Sequence, residues 1–211
     1  MTLLHFLDYA AVAVFAVTGA LAASRSQLDI VGFIFIACLT AVGGGTIRDT
    51  ILDRDVFWVA DPVNLAVASI VAIVVFFSAH LLESRYRALL WIDALALSAA
   101  VPAGVAVALA DGQGWPIVIV MGMITGCMGG LLRDVVCNEV PLVLKQGELY
   151  VTCAFAGAIA ALLSGLAGVD PGIGLGLCAL TVLILRAGSL AFGWRLPVYR
   201  SEPPKPGSPK R

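Results

Sequence analysis

The chain has 211 residues, of which 60% are apolar and 13% charged, with a formal net charge of −1. An ordinary soluble domain carries about 25% charged residues, so this composition, with a mean hydropathy of +0.99, excludes a water-soluble globule, a disulfide scaffold and a disordered chain. The balanced charge also removes any electrostatic case for nucleic acid, which leaves a membrane protein.

A membrane span takes about 20 predominantly apolar residues. In chain order the candidates are Leu3–Ala23, Ile30–Leu52, Val63–Leu82, Ala88–Ala110, Pro116–Val136, Leu149–Leu166 and Gly172–Phe192, seven in all. The first reads as a mature helix, because no positive segment precedes it and Asp8 stands where a signal peptide has Lys or Arg. Ser98, Pro102, Trp115 and Pro116 read as kink and interface residues of the fourth and fifth spans. Cys38, Cys127, Cys137, Cys153 and Cys178 lie in or beside apolar runs without CxxC spacing and read as small packing residues.

Seven spans put the termini on opposite sides. One side collects Arg25, Arg85, Arg87, Arg133, Lys145, Arg186, Arg195, Arg200, Lys205, Lys210 and Arg211, and the other only Arg48 and Arg54. The positive-inside rule then predicts an outer N-terminus and a cytoplasmic C-terminus in the cell inner membrane. The outer loops hold Asp49, Asp53, Asp55, Asp61, Asp111 and Asp170 against two arginines, a surface expected to concentrate cations.

The sequence repeats itself at an offset of 85. Asp8 meets Asp93, Gly19 meets Gly104, Thr40 meets Thr125, Gly44-Gly45 meets Gly129-Gly130, and Arg48-Asp49 meets Arg133-Asp134. Three spans per copy is an odd number, so the copies are expected in opposite orientations, as in the inverted repeats of transporters. The predicted fold is an all-α polytopic membrane protein: two inverted three-helix repeats plus a seventh helix. Its units are residues 1–84, 85–169, a seventh helix at 170–195, and a basic, Pro-rich tail at 196–211 that reads as disordered, cytoplasmic and in reach of anionic lipid.

Gly43-Gly44-Gly45 interrupts the second span and Gly129-Gly130 the fifth, and each Gly costs about 1 kcal/mol against Ala in a helix. The second and fifth helices are therefore expected to break there, exposing backbone that only a cavity or pore lining tolerates, with small residues that let helices approach closely as the alternative. Arg48-Asp49 and Arg133-Asp134 follow the breaks, and an intramembrane charge marks a functional site by default. The symmetry suggests pairing across repeats, Arg48 with Asp134 and Arg133 with Asp49, with pairing inside each dipeptide as the alternative. Asp8 and Asp93 fall near span ends and read as interface residues, while Lys145, near Glu148, reads as a positive-inside anchor or a gating residue. There is no GxSxG, HExxH or P-loop, and His5 and His80 have no ligand partner, so neither an enzyme nor a cofactor or metal is expected.

The GGGTIRD stretch from Gly43 to Asp49, the GGLLRD stretch from Gly129 to Asp134 and the Phe57–Pro62 segment FWVADP resemble prokaryotic members of the trimeric intracellular cation channel family, also labelled a glycine-transporter-domain family. The resemblance covers about residues 4 to 195. It implies a homotrimer with one pore per protomer, between the second and fifth helices, conducting monovalent cations, chiefly potassium. The pore residues it implies are Gly43, Gly44, Gly45, Thr46, Arg48, Asp49, Gly129, Gly130, Arg133 and Asp134, with Lys145, Asp53 and Asp55 at the mouths. Two departures stand out: Met128 replaces the counterpart of Gly43, and Leu89, Leu90 and Trp91 stand where eukaryotic relatives carry a Lys-Glu-Val lipid-binding motif. The competing expectation is a secondary transporter of a small zwitterion such as glycine, with an Arg for the carboxylate and an Asp for the ammonium in each half.

Overall fold

The computed structural model describes residues 3–81, 84–145 and 149–197, with side chains from residue 9 onward. The side chain of Asp8, Glu148 and the basic tail fall outside these residues. The described elements are helical: α1 Leu3–Arg25, α2 Ile30–Ile51, α3 Phe57–Ala60, α4 Val63–Ser78, α5 Arg85–Ala110, α6 Trp115–Val136, α7 Tyr150–Leu166 and α8 Pro171–Phe192, with 3₁₀ turns at Ala79–Leu81 and Leu142–Leu144. By length and composition α2, α4 with its 3₁₀ extension, α5, α6 and α8 suffice to cross a membrane, while Tyr9–Arg25 of α1 and all of α7 are apolar and shorter.

Local chemistry marks the helix ends. The Asp29 side chain accepts from Gly32 N at 2.7 Å, Ser84 from Arg87 N at 3.3 Å, and Asp170 from Gly172 N at 2.8 Å just before Pro171 opens α8. Gly193 closes α8 in the left-handed conformation, φ +68°, that glycine adopts without strain. Pro102 lies inside α5 without ending it.

Helices α1 and α5 pack together at the centre; α2 and α4 lie against α1, α6, α7 and α8 against α5, and α2 crosses α6. Gly157 of α7 packs against Val182 of α8, whereas Gly165 and Gly168 face open space.

The glycines do not break their helices. α2 is continuous from Ile30 to Ile51 and α6 from Trp115 to Val136. A Cβ at Gly44 would come closer than 3.0 Å to the Thr125 carbonyl oxygen, and one at Gly129 equally close to that of Thr40. The missing side chains let the α2 and α6 backbones touch, and that close approach offsets the poor helix propensity of glycine. The hydroxyls of Thr40 and Thr125 donate within their own helices, to Ile36 O at 2.6 Å and Met121 O at 2.7 Å, so neither competes with the crossing.

The same contacts recur 85 residues on. Gly19 abuts Ile36 and Thr40, and Gly104 abuts Met121 and Thr125. After α2 the chain turns through Asp53 at φ +52°, and after α6 through Asn138 at φ +55°. Gly43, whose counterpart is Met128, faces Leu132 beside the crossing.

Candidate functional site

Arg48 and Asp49 end α2 and are each 2% exposed. Arg48 Nε donates to Asp49 Oδ1 at 2.7 Å and Nη2 to Oδ2 at 3.1 Å; Asp49 also accepts from the backbone N–H of Phe57 at 3.0 Å. In the second half Arg133 Nε donates to Asp134 Oδ1 at 2.8 Å, and Asp134 accepts from Leu142 N at 2.8 Å. Each Arg-Asp dipeptide therefore ties the chain leaving its helix to the residue eight positions after the Asp. The expected cross-repeat pairing does not form. Neighbouring helical residues diverge by roughly 100°, but the long arginine curls back far enough for its Nε to reach the next carboxylate.

The surroundings of the two pairs differ. Arg48 and Asp49 open onto a cavity of about 560 Å³, lined also by Tyr9, Arg54, Asp55, Phe57, Asp61 and Asn64. The Tyr9 hydroxyl donates to Asp61, and Arg54 pairs with Asp111 at 3.6 Å. Arg133 is fully buried, with Nη1 on Asp93 Oδ1 at 3.0 Å, and the equally buried Tyr150 lies beside it under the Arg186 guanidinium, 4.9 Å from the ring centroid. Farther out on this side Lys145 bonds the Tyr86 hydroxyl and Arg25 pairs with Glu139 at 3.0 Å, around a cavity of about 480 Å³.

Beside the first cavity lies a neck of about 20 Å³ bounded by Thr40, Gly44, Gly45, Arg48, Phe57 and Thr125, together with Ala11, Val12 and Phe15 of α1 and Ala100 and Ala103 of α5. Arg48 and Phe57 line both the neck and the 560 Å³ cavity. A space of that size holds about one water molecule.

Not every expected site residue faces this track. Thr46 donates to Val42 O at 2.7 Å and accepts from Trp58 Nε1 at 2.8 Å, which turns it toward α3. Gly130 faces Tyr150, Asp93 and Arg133. Asp55 lines the first cavity, while Asp53 stays on the exposed turn. Of the expected outer carboxylates, Asp49 pairs with Arg48, Asp111 pairs with Arg54 and Asp170 caps α8, which leaves the excess of carboxylates over arginines unchanged. Asp93, expected at the membrane interface, is instead a buried partner of Arg133, and its repeat position opposite Asp8 is the sequence signal for that role. Tyr150 and Arg186 carry no such signal, since neither has a matched residue in the first half.

A single family model, described as glycine transporter, matches twice, at residues 5–80 and 90–165. The chain belongs to the glycine transporter (TRIC) family. The start of the second match lies 85 residues after the first (5 to 90), the same offset at which the packing contacts recur. Among relatives of this TRIC-family chain, a UPF0126 membrane protein of Vibrio cholerae is 36% identical, over 94% of this chain and 83% of its own. The UPF0126 inner membrane protein YadS of Escherichia coli K12 is 39% identical over 74% of this chain and 76% of its own. The trimeric intracellular cation channel orthologue from Rhodobacter sphaeroides superposes with a TM-score of 0.88 at 42% identity, covering 92% of this chain and all of that one. A prokaryotic TRIC channel solved in 0.5 M KCl superposes at 0.85 with 26% identity, over 92% of this chain and 98% of the other.

Proposed function

We propose that the protein is a monovalent-cation channel of the bacterial inner membrane, permeable to potassium, with one path inside each protomer of a homotrimer. The observation that carries this reading is the charged 560 Å³ cavity that shares Arg48 and Phe57 with the narrow, largely apolar 20 Å³ neck at Thr40, Gly44 and Thr125. A one-water neck suits a small ion shedding part of its hydration shell. The likeness to the Rhodobacter channel supports the same reading. The two halves form an inverted repeat: three spans each, with recurring Gly–Thr contacts at the α2–α6 crossing and α8 outside the repeat. The bias in Lys and Arg supports an outer position for the first cavity and a cytoplasmic C-terminus.

Carriage of a zwitterion such as glycine is the second reading, favoured by the description of the family model. It requires Arg and Asp groups that can take the carboxylate and ammonium, yet here each Arg holds its own Asp. Liposomes loaded with potassium decide between them. Electrogenic potassium efflux without saturable glycine exchange supports the channel; glycine exchange without current overturns it, and cross-linking that yields only monomer removes the trimer.

The Asp55 carboxylate lines the outer cavity, and attraction from it fades over about 10 Å at 0.1 M salt. Asp55→Asn, alone or with Asp53→Asn, is therefore expected to lower inward potassium conductance in dilute salt and to leave it unchanged at high salt. Equal loss at both concentrations contradicts a role in gathering cations.

A further inference from the structure

The two halves differ at one matched position. The open face of Gly45 is covered by the apolar ring of Phe57, whereas that of its counterpart, Gly130, is covered by a polar cluster. A Cβ placed on Gly130 would lie 3.0 Å from Tyr150 Oη, 3.6 Å from Asp93 Oδ1 and 3.7 Å from Arg133 Nη2. These three residues come from α7, α5 and α6, and none is more than 1% exposed. Tyr150 Oη, Asp93 Oδ2 and Arg133 Nη2 all lack a hydrogen-bond partner among the described residues.

Three unmatched polar atoms in one dry spot are rare, because each group buried unpaired loses its hydration with nothing in return. Their chemistry is complementary. Arg133 Nη2 can only donate, Asp93 Oδ2 can only accept, and the phenol can do either. The formal charges of the cluster also cancel, Arg133 and Arg186 against Asp93 and Asp134. A cation would meet two arginines there and an anion two carboxylates, so the occupant is neutral, small, and able to donate and accept at once.

We infer that Asp93, Arg133 and Tyr150 hold one structural water molecule over the bare face of Gly130. The water accepts from Arg133 Nη2, donates to Asp93 Oδ2 and uses its remaining hydrogen-bonding capacity on Tyr150 Oη, within the two to four partners that a buried water takes. Glycine at 130 keeps the space that a methyl group would take. The inference is independent of what the protein transports, since it rests on burial and hydrogen-bonding capacity alone.

A crystal structure of the full chain, grown in RbCl at a resolution that places waters, tests it. The expected result is one peak about 2.6–3.2 Å from all three atoms, without anomalous signal, lost in Gly130→Ala as the Tyr150 oxygen shifts by a few tenths of an ångström. Tyr150→Phe, which leaves Asp93 and Arg133 in place, is expected to keep the peak with two partners and covers the case in which the alanine variant does not fold. A direct Tyr150–Asp93 hydrogen bond with no peak overturns the inference. So does an anomalous rubidium peak, which would make the spot a cation site.

Discussion

Arg133→Leu is expected to cost roughly 3–5 kcal/mol of stability, the usual penalty for removing one member of a buried ion pair. The leucine leaves Asp93 and Asp134 buried side by side with no positive charge between them, where Arg133 now contacts both at 3.0 and 2.8 Å. Much of the loss comes from those stranded carboxylates, so Arg133→Leu with Asp93→Leu should be milder than Arg133→Leu alone. A double-mutant cycle read by unfolding in detergent should couple Arg133 with Asp93 by more than about 1 kcal/mol and Arg48 with Asp134 by less than about 0.5 kcal/mol. The opposite ranking would restore pairing across the repeats.

Gly44→Leu and Gly129→Leu are expected to abolish potassium flux and to destabilise the fold by at least the roughly 1–3 kcal/mol typical of overpacking. In each case the new side chain meets a backbone carbonyl, that of Thr125 or Thr40, which cannot rotate away as a side-chain tip would. The α2–α6 crossing must open, and the neck between Thr40 and Thr125 changes shape with it. Gly165→Leu is the control: nothing lies within 4 Å of its added Cβ, and both flux and melting temperature should stay near those of the parent. Full flux from folded Gly44→Leu protein would move the path away from this crossing.

The helical membrane fold was legible because an apolar run of about 20 residues satisfies its backbone inside a bilayer only as a helix. The 85-residue offset was legible because Gly, Thr and Arg-Asp recur in register. The state of the glycines was not. A Gly-Gly-Gly run reads equally as a break or as a docking surface, and only the neighbour across the gap, Thr125 for Gly44 and Thr40 for Gly129, decides between them. The role of each Arg-Asp dipeptide was hidden for a related reason: the backbone N–H that Asp49 or Asp134 holds lies eight residues away, and a backbone donor leaves no mark in the side-chain sequence. Asp93 looked peripheral because distance from a span end, counted along the chain, says nothing about which helix lies alongside. Arg186 counted only as one more inside charge, yet it sits fully buried over Tyr150.

The ion pairs at the helix ends have a consequence for how such a chain could be divided. Arg25, at the end of α1, meets Glu139 in the turn after α6; Asp111, at the end of α5, meets Arg54 in the turn after α2. Arg54 and Glu139 occupy matched positions with opposite sign, as do the neighbourhoods of Arg25 and Asp111. Two copies of the first half, associated as the halves now are, would bring Arg54 against Ser26 and Arg25, cation toward cation. Two copies of the second half would set Glu139 against Asp111. Only an unlike pair is matched at both ends, so these contacts, each worth at most about 1 kcal/mol, tilt co-expressed fragments toward unlike rather than like association.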